Sequence, residues 1–474
     1  MTEAEARALY RQGEEAVVSF LLDLSRRVRG VEEQIAKNSG NSSLPPSSDG
    51  LRKAPLRPMP QSLRKKNGKK QGGQRGHQGR TLSQTDAPDR VIEHPPLACG
   101  QCRMSLAECH PVTYSRRQVF EMPAPKVVVT EHRAFTVGCP CCGKETTAPF
   151  PEGVSQPAQY GPNLLGFATY LHVAHLIPFA RCAQIVREVT SAPFSAGTLH
   201  RALGVASDRL TAFADRIKES LRGVAHLHVD ETGARVGGEL HWFHVRCTET
   251  LCYLFRHRRR GKEAVDDLVP YSGRLISDFY GSYVRMACSH QFCGAHLLRE
   301  LTFARDVLDQ SWASPLRDVL ERMVAACHCA RERGDGRVEA PHVLARQYDH
   351  WVDNGLCSNP PPGAESGGKA GRGRAAKGKA LCLLERLRDY RAECLAFLYD
   401  LSVPFTNNEA QRDLRMFKVR SKISGCFRTT AGADVFCRLR SYTATCQKQG
   451  MGLLRSLQSI FAGSVMMPNF VPPE

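Results

Sequence analysis

The strand pattern that begins near residue 222 constrains the fold more than any other feature. Apolar and polar residues alternate through 223–236, 239–248 and 250–259, and the breaks between these runs are Gly-Gly and Glu-Thr. Alternation with short, turn-forming breaks predicts a three-stranded antiparallel meander. The apolar run 273–279 predicts a fourth, buried strand, and 289–308 changes from strand to helix. We therefore expect an α/β domain in this part of the chain.

Helical periodicity surrounds the predicted sheet. Residues 3–37 carry apolar side chains at steps of three and four, an amphipathic stripe that suits either a second copy or the chain's own body. Residues 160–204 predict three helices, the third capped by Ser195, and the last two fit a helix-turn-helix or a plain bundle. We also expect a helix at 261–269 and a largely helical stretch from 301 to about 400.

The length of 474 residues calls for several domains, because one hydrophobic core seldom serves more than ~250–300 residues. Breaks in composition and periodicity suggest eight segments. The first four are a zipper-like helix 1–40, a basic arm 41–90, a cysteine-containing domain 91–150 and a helix-turn-helix-like region 158–218. The last four are the first part of the sheet-containing core 220–300, a helical insertion 301–404 with a low-complexity loop 358–380, a C-terminal helix and end of the core 405–445, and a tail 446–474.

The charge of the chain favours a polyanionic partner. The formal net charge is +18, and residues 51–80 contain basic residues but no acidic ones. This arm has too few apolar residues to build a core, so we expect it to be disordered when free and to contact DNA phosphates, with a solvated linker as the alternative. The contact residues we predict there are Arg64, Lys65, Lys66, Lys69, Lys70 and Arg75.

No sequence feature indicates a membrane or a secretory route. The most apolar window, 161–180, contains two histidines and fits a buried helix, and the N-terminus is polar and acidic. We therefore expect a bacterial cytoplasmic protein associated with the nucleoid. In that compartment the nineteen cysteines are reduced thiols, some of them metal ligands.

Two cysteine knuckles predict a structural zinc site. Cys99 and Cys102 form one C-x-x-C pair, and Cys139 and Cys142 form the other. Two such pairs are the usual ligand set of a closed zinc site, although Cys141 is an alternative ligand and unliganded thiol turns are a second possibility. The stretches 115–123 and 126–138 between the pairs look like strands of a hairpin.

Two aspartates mark the ends of predicted neighbouring strands. Asp230 follows the first strand of the meander, and Asp278 follows the fourth. If those strands are adjacent, the two carboxylates lie side by side and repel each other unless a divalent cation lies between them. Paired magnesium ions held by carboxylates are common machinery for displacement at phosphorus. The alternative is that each aspartate only forms a turn.

Several stretches together resemble a known family. They are residues 37–50, 69–79, the cysteine knuckles, 229–236, 275–283, 293–301 and 406–429. The chain resembles the bacterial insertion-sequence transposases of family sixty-six, of the DDE class with an RNase H-like core. The resemblance implies a DNA-binding N-terminal region with a zipper-like helix and a zinc knuckle. It also implies a catalytic domain that cuts transposon ends and joins their 3′-hydroxyls to target DNA with Mg²⁺ or Mn²⁺.

The resemblance also implies roles for individual residues. Asp230 and Asp278 match the first two catalytic aspartates, and Cys293 and His296 match a C-x-x-H pattern with a structural role or a place as a buried pair. The partners implied are double-stranded DNA, at transposon ends and target, further copies of the chain, and accessory proteins of the same element. A DNA-binding protein without catalysis and a nuclease that only hydrolyses are the competing hypotheses.

The third catalytic acid departs from the family pattern. Related sequences read N-N-x-A-E, whereas here Gln411 occupies the expected place of the acid and Glu409 lies two positions earlier. These positions are ~200° apart around a helix, so one orientation cannot offer both to a metal. Either a small rotation recruits Glu409 as the third ligand, or the site is weakened, or Glu409 only stabilises the helix dipole. Asp413 is a further candidate. Basic residues nearby predict phosphate contacts: Arg412, Arg415, Lys418, Arg420 and Lys422.

Overall fold

The computed structural model describes residues 2–38, 41, 82–122, 125, 127–268, 270–361 and 377–470. The N-terminal helices are α1 (Glu3–Tyr10) and α2 (Glu14–Ile35), which confirms the helical prediction for this part. Thr2 caps α1 through a capping box with Glu5. The basic arm predicted to contact DNA through residues 64–75 lies outside the described residues, as does most of the loop predicted at 358–380.

The cysteine region contains little regular structure. Its described residues hold one short antiparallel hairpin, formed by β1 (Thr136–Gly138) and β2 (Glu145–Thr147). Strands were predicted at 115–123 and 126–138. For the described residues of these two stretches, the prediction is wrong apart from the three residues of β1. The physical reason is that Val119, Val128 and Val129 are exposed, so the alternating pattern has no core against which to pack.

Four helices lie between the cysteine region and the central sheet in the chain, and one C-terminal helix packs among them. They are α3 (Pro162–Val173), α4 (Phe179–Thr190), α5 (Ala196–Arg209) and α6 (Thr211–Arg222), which confirms the three helices predicted at 160–204. Ser195 caps α5 by accepting a hydrogen bond from the Thr198 amide, as expected. The helix α15 (Leu453–Phe461) packs on α3, and all five elements share one apolar cluster with the sheet.

The central sheet has five strands in the order β5-β4-β3-β6-β7. The strands are β3 (His226–Val236), β4 (Glu239–Cys247), β5 (Cys252–His257), β6 (Arg274–Ser277) and β7 (Ser289–Phe292). The first three form the predicted antiparallel meander, and β6 lies beside β3 as expected. The pairings of β6 with β3 and with β7 are both parallel. The sheet is therefore mixed. Because β6 pairs only with the first three residues of β3, Asp230 lies within β3 and not at its end, so the prediction of a strand-terminal Asp230 is wrong, whereas Asp278 directly follows β6 as predicted. The strand continues past Asp230 because its pairing with β4 extends to Val236.

The connection from β5 to β6 departs from the prediction. An α-helix was expected at 261–269. Residues 261–268, the described part of that range, form two single turns of 3₁₀-helix instead, at Lys262–Ala264 and Asp266–Leu268. Their amides bond to the carbonyl three residues earlier, as Val265 does to Lys262. These tighter turns bury Ala264, Val265 and Leu268 in a stretch too short for an α-helical face.

A helical insertion follows the sheet, as predicted. The helix α7 (Gly281–Val284) links β6 to β7, and the helix that follows β7 is α8 (Gly294–Asp306). The insertion continues through α9 (Ala313–Arg333), α10 (Pro341–Ser358), α11 (Lys379–Asp389) and α12 (Arg391–Tyr399). These helices bury a second apolar cluster that contains Trp312 and Tyr348.

Two C-terminal helices return to the sheet. They are α13 (Asn408–Ser424), which packs on β3 and β4, and α14 (Thr430–Lys448), which packs on β5. The amides of Cys252 and Leu254 on the edge strand β5 donate to the hydroxyls of Thr445 and Ser441 on α14. Helix α14 therefore satisfies the open edge of the sheet, which would otherwise be free to pair with another strand.

Candidate functional site

The two predicted aspartates lie close together on β3 and directly after β6, two neighbouring inner strands of the sheet. The parallel register pairs His228 of β3 with Ile276 of β6. Asp230 lies two residues further along β3, and Asp278 directly follows β6, so this register brings the two acids close together on adjacent strands. The influence of the Asp278 carboxylate on the pKa of Asp230 agrees with this proximity. Within the antiparallel pair, Asp230 is opposite Val245, whose side chain belongs to the cluster that packs against α13. The Asp230 side chain therefore lies on the face of the sheet that α13 covers.

The carboxyl group of Asp230 is buried and crowded by other acids. Burial raises the pKa of Asp230 to about 8, and the carboxylates of Glu231 and Asp278 add to this effect while the Lys418 ammonium opposes it. The Glu231 amide donates to Asp230 at 2.8 Å, and the Tyr280 amide donates to Asp278 at 3.0 Å. Two neighbouring carboxylates held in place by backbone amides provide oxygen donors of the kind that Mg²⁺ and Mn²⁺ prefer.

Helix α13 presents position 411 to this pair. The stripe of Ala410, Leu414 and Phe417 is buried against the sheet, as predicted. The Gln411 amide nitrogen lies 3.4 Å from Nε2 of His296, and burial lowers the pKa of that histidine against the opposing influence of Asp278. Gln411 therefore lies on the side of the aspartates, where it brings an amide and no charge.

Glu409 lies on the other flank of α13, in a cluster of ion pairs. Its carboxylate is 3.1 Å from the Arg412 guanidinium and 3.1 Å from the Lys448 ammonium of α14. Lys448 also lies 3.2 Å from Asp413. Across the part of the chain that the structure describes, no three His, Cys, Asp or Glu side chains are grouped so as to hold a metal ion. The predicted trio of Asp230, Asp278 and Glu409 is therefore not assembled in this conformation, and Asp413 is engaged with Lys448 in the same way.

A buried acid next to Asp230 was missed by the sequence reasoning. Glu231 accepts hydrogen bonds from the Tyr283 hydroxyl at 2.7 Å and from Arg260 at 2.6 and 2.8 Å. The Arg260 guanidinium also lies over the rings of Trp242 and Tyr280. This network ties the loop that follows Asp278 to β3. Only its position beside Asp230 could have drawn attention to Glu231, because its partners are distant in sequence.

Comparison with models of known protein families identifies the family of this chain. Residues 157–435, which include the whole sheet and α13, match the model described as Transposase IS66 family. The chain belongs to this family. Residues 1–83 match a second model, a family of unknown function (DUF6444), and no curated protein matches the chain. A transposase role is therefore established at the level of the family, and such a role implies binding to DNA.

The predicted DNA contacts on α13 of this transposase divide into two groups. Arg412, Arg415, Lys418 and Lys422 have exposed side chains. Arg420 is only 9% exposed, and its guanidinium lies 3.6 Å from the centre of the Phe427 ring and 5.3 Å from that of Phe436. The prediction that Arg420 contacts DNA therefore needs correction: its charge is stacked on aromatic rings in the core.

The cysteine knuckles of the transposase form two tight turns. In the first, the Cys102 amide lowers the pKa of Cys99, and in the second the Cys142 amide lowers that of Cys139. Amides that point at sulfur stabilise thiolates, the form that binds zinc. The two turns are not gathered into one metal-binding group among the described residues, so a zinc site shared by all four cysteines stays a prediction.

The transposase shows no membrane-spanning element in its described part. None of the helices there is both long enough and apolar enough to cross a bilayer.

Proposed function

We propose that this transposase cuts the ends of its insertion sequence and joins their 3′-hydroxyls to target DNA at the site formed by Asp230 and Asp278. The observation that carries the proposal is the parallel register of β3 and β6, which brings two carboxylates 48 positions apart in sequence to one place. The sheet order, with its antiparallel meander followed by two parallel strands, fits the RNase H-like core of DDE enzymes.

On this proposal, the two aspartates bind metal ions and nearby cations of α13 bind DNA phosphates. Asp230 and Asp278 would hold Mg²⁺ or Mn²⁺, and the bound metal would activate the attacking oxygen and stabilise the leaving oxygen. Lys418 is close enough to Asp230 to influence its ionisation, and Arg415 and Lys422 share that face of α13 at helical spacing. These three cations are placed to bind the phosphates on either side of the scissile bond.

The neutral side chain of Gln411 supports a second candidate function. A glutamine oxygen is a weak ligand without charge, and Lys448 and Arg412 engage the acid predicted to replace it, Glu409. A chain of this kind could bind transposon ends without cutting them efficiently. On that hypothesis the DNA contacts are retained and the catalytic step is weakened.

A cleavage assay separates the two candidates. Intact and pre-cut transposon ends are incubated with the native chain, Asp230→Asn and Gln411→Glu in Mg²⁺ or Mn²⁺, and both hydrolysed and joined products are measured. We expect joining by the native chain, background levels for Asp230→Asn with end binding preserved, and at least ~10-fold more product for Gln411→Glu, equivalent to ~1.4 kcal/mol of barrier. Equal loss of binding and joining in Asp230→Asn would contradict the catalytic assignment. Products from Gln411→Glu alone would favour a binding protein that has lost its third acid.

A further inference from the structure

Asn407 lies at the start of α13 and is almost completely buried, with 1% of its surface exposed. Its side-chain amide donates to the carbonyl of Val229 at 2.7 Å, and its side-chain oxygen accepts from Nδ1 of His228 at 2.9 Å. Because an amide oxygen can only accept, the His228 ring carries a proton on Nδ1 in this bond. The Asn407 side chain does not cap its own helix, since no capping bond is formed.

The contacts of Asn407 reach the strands of both aspartates. Val229 immediately precedes Asp230 on β3. The backbone amide of Asn407 donates to the Cys293 sulfur at 3.2 Å, and the amide of Cys293 donates to the carbonyl of Ser277, the residue before Asp278. One buried residue therefore connects the start of α13 to the positions next to each carboxylate.

The segment before Asn407 is held from a second side. The Gly294 amide donates to the carbonyl of Phe405 at 2.8 Å. A Cβ atom at Gly294 would lie only 2.0 Å from the Phe405 ring. The two segments of the chain are therefore in contact at a distance that only glycine permits. Residues 405–407 thus pass through a fixed gap between β3 and the start of α8.

We propose that Asn407 is the positioning residue that sets the rotation of α13, so that position 411 faces the aspartates and position 409 faces Lys448. The apolar stripe of Ala410, Leu414 and Phe417 determines which side of α13 packs on the sheet. It does not fix the rotation of the helix about its axis closely, because apolar contacts have little directionality. Hydrogen bonds are directional, and those of Asn407 define the rotation of the first turn, where both positions lie. This inference deepens the proposed function and rests on it for the role of position 411.

The test measures Mn²⁺ binding in the absence of DNA by electron paramagnetic resonance of the free ion. Asn407→Ala is introduced into the native chain and into Gln411→Glu. The variant Asp230→Asn serves as a control that measures how much Mn²⁺ binds outside the proposed site. We expect Gln411→Glu to bind Mn²⁺ more tightly than the native chain, because it adds a carboxylate to the pair. Asn407→Ala should weaken binding ~10-fold or more in the Gln411→Glu background, the usual size of an outer-sphere effect, and much less in the native background.

The double-mutant comparison distinguishes positioning from general support. Equal losses in both backgrounds would mean that Asn407 only stabilises the fold, and that result overturns the proposal. No gain in Gln411→Glu itself would also overturn it, since position 411 would then not face the pair. Asn408→Ala is the matched control, because this exposed neighbour makes none of the described bonds and should show no coupling.

A second, milder variant at position 407 keeps the test informative if Asn407→Ala does not fold. Asn407→Asp keeps the size of the side chain and the acceptor for His228 but loses the donor to Val229, and it should show the same coupling to a smaller extent. Because the assay involves no DNA, it is independent of the catalytic proposal. Coupling in Mn²⁺ binding together with absent DNA joining would leave the positioning role intact and reject the proposed function alone.

Discussion

Replacing Asp230 with asparagine should remove a specific pH dependence of stability in magnesium-free buffer. In the folded chain, burial and the neighbouring acids raise the pKa of Asp230 from 3.8 to about 8. Between these two values the folded chain retains a proton that the unfolded chain has released. The stabilisation from this group is therefore complete below the lower value and is lost as the pH rises through the upper one.

The size of the effect follows from the linkage relation. One proton difference lowers the free energy of unfolding by ~1.4 kcal/mol for each pH unit within this window. Between about pH 5.5 and about pH 7.5 the native chain should lose ~2.7 kcal/mol that Asp230→Asn does not lose. Addition of Mn²⁺ should flatten the slope of the native chain, because the cation stabilises the ionised pair, and should leave the slope of Asp230→Asn unchanged.

The measurement is the urea midpoint as a function of pH for the native chain, Asp230→Asn and a matched control. Asp215→Asn is suitable as the control, because Asp215 is exposed on α6 and should follow the native slope. The other titrating groups are common to all three proteins and cancel in the comparison. Parallel slopes for the native chain and Asp230→Asn would refute the reasoning, since they would show that Asp230 ionises in the folded chain as easily as in water.

Three further predictions concern α13 and its surroundings. Lys448→Met leaves the carboxylates of Glu409 and Asp413 without their shared cation, so the free energy of unfolding should fall by ~3 kcal/mol; the same change at the exposed Lys422 should cost less than ~0.5 kcal/mol, and equal costs would contradict the ion-pair argument. Arg415→Ala should reduce the salt dependence of binding to transposon ends by ~0.9 in log–log slope, as expected for one lost phosphate contact. Arg420→Ala should leave that slope unchanged and lower stability by ~1–2 kcal/mol, because its guanidinium stacks on Phe427; a change of slope for Arg420→Ala would show that this residue does reach DNA.

The local patterns of the sequence were informative wherever one face of an element is buried. The meander from His226 to His257, the neighbouring strand before Asp278 and the stripe of Ala410, Leu414 and Phe417 were all predicted from periodicity, and all are present. The same reasoning was wrong for residues 115–123 and 261–269. In the first case the strands have no partner surface, and in the second a short buried stretch formed 3₁₀ turns instead of an α-helix.

The candidate site shows where such patterns reach their limit. The sequence identified Asp230 and Asp278 as acids on neighbouring strands and placed Glu409 and Gln411 on different flanks of one helix, but it predicted a strand end at Asp230, which lies within β3. It could not choose between those flanks, and it placed Arg420 with the exposed cations. The residues that decide these points are Lys448, His296 and Phe427, each on another segment of the chain.

The sequence by itself determined the kinds of element, the basic character of the chain and the two acids that a transposase site would use. These properties depend on spacing between near neighbours, where helical and strand periods are a direct consequence of backbone geometry. Only the tertiary structure decided which face of α13 meets the aspartates. That rotation depends on directional bonds such as those from Asn407 to Val229 and Cys293, which join residues more than a hundred positions apart.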